Sequence, residues 1–134
     1  MKKLILSLFM ASALMACNQT NKKTVVVTTD GSDIRYEKDS YDFGKIKQGE
    51  KVSHRFTFTN TGKSPLIITN ATASCGCTTP IWPKKPVMPG DTASIAVTFN
   101  SAGKSGLQDK LITVTANSQP PQSIVHLIGE VLTK

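Results

Sequence analysis

The chain is poor in the side chains that build catalytic and metal centres: its 134 residues include three cysteines and two histidines. Helical periodicity is missing outside residues 1–16, which excludes a helical bundle. It also removes Gly103-Lys104-Ser105-Gly106 as a phosphate loop, since such a loop needs a helix behind it. That segment reads as a hairpin turn. No serine sits in a strand–turn–helix elbow. Asp33, Glu37, Asp39 and Asp42 lack the oxygen spacing of a calcium loop and read as a solvated acidic segment. There is no basic stripe interleaved with aromatics, so nucleic acid is not an expected partner. Catalysis finds no support.

What is present begins at the N-terminus. Lys2 and Lys3 precede an apolar run from Leu4 to Leu14, and small Ala16 stands before Cys17. These are the three parts of a secretory signal, and the apolar run is too short for a stable helix across a ~30 Å hydrocarbon layer. A cysteine directly after the small residue makes the signal that of a lipoprotein. Residues 1–16 are expected to be removed, leaving Cys17 to carry the lipid. Two or more acyl chains hold a protein on a bilayer durably, whereas one does so only marginally. The expected location is therefore the bacterial cell envelope, lipid-anchored and facing the periplasm, with the membrane itself as one partner. Removing 16 of 134 residues leaves 118, enough for one domain with its own core. The formal charge of +7 falls to +5 without Lys2 and Lys3, and reads as a solubilising surface.

Residues 17–35, rich in Asn, Thr and Lys, read as a lipidated tether, although Thr24-Val25-Val26-Val27-Thr28 has the β-propensity to add to a sheet edge. The domain is expected over 36–134. There Val52, His54, Phe56 and Phe58 alternate with Ser53, Arg55, Thr57 and Thr59, which is a half-buried strand. Asn60-Thr61-Gly62 forms a turn in which glycine accepts positive φ. Leu66-Ile67-Ile68 has no clean alternation and reads as buried on both sides. Pro80, Pro83, Pro86 and Pro89-Gly90 mark a loop. Alternation returns at Ala93, Ile95, Val97 and Phe99, then at Ile112, Val114 and Ala116, and finally at Val125, Leu127 and Val131. Six or seven strands at even spacing make an all-β sandwich. Aromatics are 6% of the chain, so Phe43, Phe56, Phe58, Phe99 and Trp82 are expected to supply much of the core.

Ser74-Cys75-Gly76-Cys77-Thr78 holds the remaining thiols. Three readings stay open. Cys75 and Cys77 can close a small disulfide ring, with Gly76 permitting the bend. They can hold Cu(I), alone or with His54 or His126, as the one candidate cofactor. They can also pack reduced against the sandwich.

Taken together, Asp42-Phe43-Gly44, His54-Arg55-Phe56-Thr57-Phe58, Asn60-Thr61-Gly62, Pro65-Leu66-Ile67-Ile68, Ser74-Cys75-Gly76-Cys77-Thr78-Thr79-Pro80, Pro89-Gly90, Ile95-Ala96-Val97-Thr98-Phe99 and Gly129 resemble a domain-of-unknown-function family of bacterial envelope lipoproteins. The resemblance covers residues 39–132 and implies an immunoglobulin-like sandwich of about seven strands. It is similar to major sperm protein and cilia-associated domains, which serve as binding modules. It implies no established activity. Asp91-Thr92-Ala93 also resembles a three-residue bacterial O-glycosylation signal.

The sequence thus points to a non-enzymatic, lipid-anchored module that binds or scaffolds an envelope protein or polysaccharide. The sheet edges and the loop containing Cys75, Cys77, Thr78, Trp82, Lys84 and Lys85 are its candidate contact surfaces. The rival is a thiol function, copper handling or disulfide exchange, at Cys75 and Cys77. If Cys17 is the lipid site, Cys17→Ala moves the protein from the membrane pellet to the soluble fraction of lysed cells. Equal membrane retention of the variant would contradict this assignment.

Overall fold

Period-two alternation becomes two facing layers. The computed structural model describes residues 31–134, with strands β1 (Ile34–Tyr36), β2 (Ser40–Lys47), β3 (Lys51–Asn60), β4 (Ile68–Ala73), β5 (Thr78–Ile81), β6 (Thr92–Asn100), β7 (Gly106–Ala116) and β8 (Gln122–Leu132). One sheet has the order β1-β3-β6-β5 and the other β2-β8-β7-β4. Every neighbouring pair is antiparallel except β2 with β8, which is parallel. This is an immunoglobulin-like sandwich.

Inward-facing residues of the two sheets make one core. Phe56, Phe58, Ile95, Val97 and Phe99 face Ile112, Val114, Val125, Leu127 and Val131, all of them almost fully buried. Each such side chain contributes about 1.5–3 kcal/mol by leaving water. Phe43 and Trp82 are only partly buried and pack against the edge of this core. The ring of Phe43 occupies the place where a Cβ on residue 129 would lie, which explains glycine within strand β8.

The structure corrects several expectations. Among the described residues there are eight strands where six or seven were expected, because two short ones were not legible. One is β1, which lies mostly within residues assigned to the tether. Ser32 is already buried, its hydroxyl donating to the Asn117 backbone carbonyl at 2.7 Å. The sandwich therefore starts before residue 36. The other is β5, which contains Pro80; a proline is tolerated there because β5 is an edge strand. Leu66 and Ile68 are buried but Ile67 is 43% exposed, so this run alternates after all. The segment after Asn100 is not a hairpin turn, since β6 and β7 belong to different sheets.

A buried asparagine joins three backbone segments. Asn60 is fully buried, and its Nδ2 donates to the carbonyls of Ser64 at 2.8 Å and Val87 at 2.9 Å. Its Oδ1 accepts from the Gly62 amide at 3.0 Å. Residues 31–33 lie over this turn, with the Thr61 amide donating to the Asp33 carbonyl at 3.0 Å. A Cβ at residue 62 would collide with the backbone of Gly31 and Ser32. Glycine is needed here for that close approach, and not for a positive φ. Asn60→Ala removes the side-chain bonds to the Ser64 and Val87 carbonyls and to the Gly62 amide and leaves a void in their place, and should cost about 3 kcal/mol in urea unfolding. A loss of under about 1 kcal/mol would mean that the knot is dispensable.

Candidate functional site

Cys75 and Cys77 lie where the chain changes sheets. Ser74 still belongs to the β7 side, its amide donating to the Leu111 carbonyl at 2.9 Å. Three residues later the Cys77 carbonyl accepts from the Asn100 amide at 2.9 Å and opens β5 beside β6. Between them Cys75 and Cys77 are joined as a disulfide, with Cα atoms 5.3 Å apart. The Thr78 amide folds back onto the Cys75 carbonyl at 3.3 Å. Both cysteines are half-buried, Gly76 is exposed, and Thr78 is buried beneath the sulfurs. The pair thus forms a corner, and a disulfide offers no thiolate to a metal. A cleft of about 450 Å³ opens beside it, lined by Lys51, Cys77, Thr79, Thr98, Asn100 and Lys104 among others.

The other candidates are spread out. Lys84 sets its ammonium 3.3 Å from the centre of the Trp82 ring, a cation–π contact, while Lys85 is exposed. His54 on β3 stacks on Tyr41 of β2, with centroids 3.7 Å apart, and meets Phe56 edge-on. Burial, aided by the nearby Lys38 charge, holds its pKa below the usual histidine range. His126 on β8 hydrogen-bonds Asp109 through Nδ1 at 3.0 Å. The two histidines thus sit on different sheets with different partners. Among the described residues no three His, Cys, Asp or Glu side chains gather as a metal would require. Thr92 is exposed at the start of β6, its hydroxyl 3.1 Å from that of Thr59. Cys17 and the signal lie outside the described residues.

The strand edges supply a feature the sequence reading did not locate. β1 pairs with β3 only from Phe58 to Asn60, with one further bond from the Glu37 amide to the Thr57 carbonyl at 3.0 Å. The chain then leaves for the other sheet. Backbone groups alternate sides along a strand. Thr57 and Thr61 point theirs toward the β1 side, while Glu50 and Asn60 bond on the β6 side. Lys51, Ser53 and Arg55 therefore point their amides and carbonyls away from β6, toward a flank that no described strand covers. The side chains of these three residues are exposed on the outer face of the sheet.

Of the other edges, β1 is only three residues long, and β5, β4 and β2 each carry an interruption. On β5, Pro80 has no amide and that of Thr78 is occupied by Cys75. β4 shifts register between Ile68 and Asn70, and β2 between Asp42 and Lys45. β3 keeps its register with β6 without a break from Lys51 to Thr59. Interrupted edges resist strand addition, and a regular one invites it. The sequence signal for this flank was the alternation of Lys51, Ser53 and Arg55; its lack of cover depends on where β1 stops.

Fold and edges together define an immunoglobulin-like β-sandwich domain. More narrowly, the chain belongs to the family described as a protein of unknown function (DUF1573), whose model matches residues 34–131. No curated protein matches it. Among solved structures it is similar to a protein of unknown function from Porphyromonas gingivalis W83, with 16% identity and a TM-score of 0.67. That match covers 81% of this chain and 51% of the other, so the chain spans about half its length. It is also similar to the secreted serine protease VesC from Vibrio cholerae, at 14% identity and a TM-score of 0.56, covering 76% of this chain and 23% of that one. A third similar structure is the ASH/PapD-like domain 7 of human CEP192, at 10% identity and a TM-score of 0.63, covering 100% of this chain and 98% of that one. At these identities the likeness concerns the fold.

Closing a three-residue ring removes little chain entropy, about 1.6 kcal/mol at most. Replacing both Cys75 and Cys77 by Ser should therefore lower stability in urea by no more than that and leave the circular dichroism spectrum intact. Unfolding of the double variant at 25 °C would show that the corner, and not the core, holds the sheets together.

Proposed function

We propose that this protein is a lipid-anchored, non-enzymatic binding module of the bacterial envelope, one that captures an extended segment of another envelope component along the open flank of β3. The observation that carries the reading is the uncovered, in-register backbone of Lys51, Ser53 and Arg55. An added strand satisfies these amides and carbonyls and extends the four-stranded sheet by one, a recurring way of recognising peptides. Anchoring through Cys17, with residues up to about 30 as spacer, would hold the sandwich near the membrane with this flank free to meet partners.

The immunoglobulin-like fold, shared with a PapD-like domain, offers sheet edges on a rigid scaffold, which suits a binding role. The disulfide corner fits the same role, because it shapes the opposite side of the sheet into an edge that rejects strands. Copper handling draws no support from the arrangement, since the cysteines are paired with each other and the histidines are engaged elsewhere.

A photo-crosslinking residue in place of Ser53 should yield one discrete adduct in intact cells. The same residue at Thr72, on the outer surface of the other sheet, should not. An identical adduct pattern from both positions, or none from Ser53, would argue against capture at this flank.

A further inference from the structure

The chemistry around the open flank specifies its partner further, and this step rests on the binding role proposed above. On the outer face, Lys51 and Arg55 lie four residues apart with Ser53 between them, all exposed. Among the described residues neither cation is in an ion pair with an acidic side chain. Arg55 makes one long contact, from Nη1 to the Ser94 hydroxyl at 3.4 Å, and Ser53 shares its hydroxyl with Thr98 at 3.0 Å. Beyond Lys51 the same face continues into the cleft with Lys104, Asn100, Thr98 and Thr79, and no carboxylate lines it. The Asn100 side chain is oriented there by accepting from the Ala102 amide at 3.0 Å. Two acidic residues bound the flank: Glu37 stands where the chain leaves β1, beside Thr57, and Glu50 precedes Lys51 with its carboxylate accepting from the Lys47 amide.

Residues directly opposite on paired strands hold their Cβ atoms about 4.5–5.5 Å apart, so opposite charges attract there and like charges repel. A strand laid along Lys51–Arg55 thus meets cations at two outer-face positions separated by a small hydroxyl position. Its alternate side chains fall on the other face, where Val52 and His54 are half-buried and His54 stacks on the more exposed Tyr41. We propose that the partner is an extended peptide segment with acidic residues four positions apart, in the pattern acidic–apolar–small polar–apolar–acidic, bound as an added strand on β3.

The test uses the detergent-solubilised full-length chain and synthetic seven-residue peptides centred on Glu-Val-Thr-Val-Glu, with Gln and Lys versions at the two Glu positions. Binding is read by fluorescence anisotropy. The Glu peptide should bind about fivefold tighter than the Gln peptide, and the Lys peptide more weakly than either. The advantage should shrink as salt rises. Lys51→Glu with Arg55→Glu should reverse the order in favour of the Lys peptide. N-methylation of alternate residues of the Glu peptide keeps its charge but removes its hydrogen-bond donors, and should abolish binding without touching the protein. Ser53→Pro should do the same from the protein side, because that amide is not part of the β3–β6 ladder.

Equal binding of Glu, Gln and Lys peptides would overturn the acidic partner while leaving strand capture standing. Undiminished binding of the N-methylated peptide would overturn strand capture itself. Displacement of the Glu peptide by alginate, combined with indifference to Ser53→Pro, would replace the peptide with an acidic polysaccharide on the cationic face.

Discussion

The amide of Asn60 is the interaction on which the arrangement depends. A fully buried side-chain amide is costly unless its donors and acceptor are engaged, and here Nδ2 and Oδ1 are used by Ser64, Val87 and Gly62. Those bonds fix where β3 ends, where the loop before β6 returns, and where residues 31–33 cross the turn. β1 starts from that crossing and pairs with the last three residues of β3. The asparagine therefore sets where β1 meets β3, and the departure of the chain after Glu37 sets how much of β3 is left open.

The two sides of this sheet are treated differently. On the β5 side, Cys75, Cys77, Thr78 and Pro80 remove or occupy the donors that a further strand would need. On the β3 side, among the described residues, nothing of the kind is built in, and the guards are the charges of Lys51 and Arg55. Charged edge residues discourage self-association, so a cationic flank repels a second copy of itself while admitting an acidic strand. One feature serves both solubility and selectivity.

Much of the fold was legible because alternation survives without context. Val52 to Phe58, Ile95 to Phe99 and Ile112 to Ala116 read as strands and are strands. β1 was missed because three residues cannot show a period, and β5 because proline argues against a strand until one knows that the strand lies at an edge. Ile67 was misjudged because three consecutive aliphatic residues mask their own alternation. Asn60 and Gly62 were recognised as turn residues, but the reasons for them, a buried amide and a close backbone approach, are tertiary. Of the candidate site, the sequence named Cys75 and Cys77 without showing that they lie at a sheet crossover. It named sheet edges without showing which was open. An edge is defined by what fails to pair with it, and no local pattern encodes that.

The open flank requires that the backbone amides of Ser53 and Arg55 have no partner, as is the case among the described residues. Amide hydrogen exchange tests this directly. The prediction is an odd–even pattern along β3, with Ser53 and Arg55 exchanging fast while His54 and Phe56, bonded to β6, are protected. Equal protection of all four would mean that the flank is already occupied, and would contradict the account.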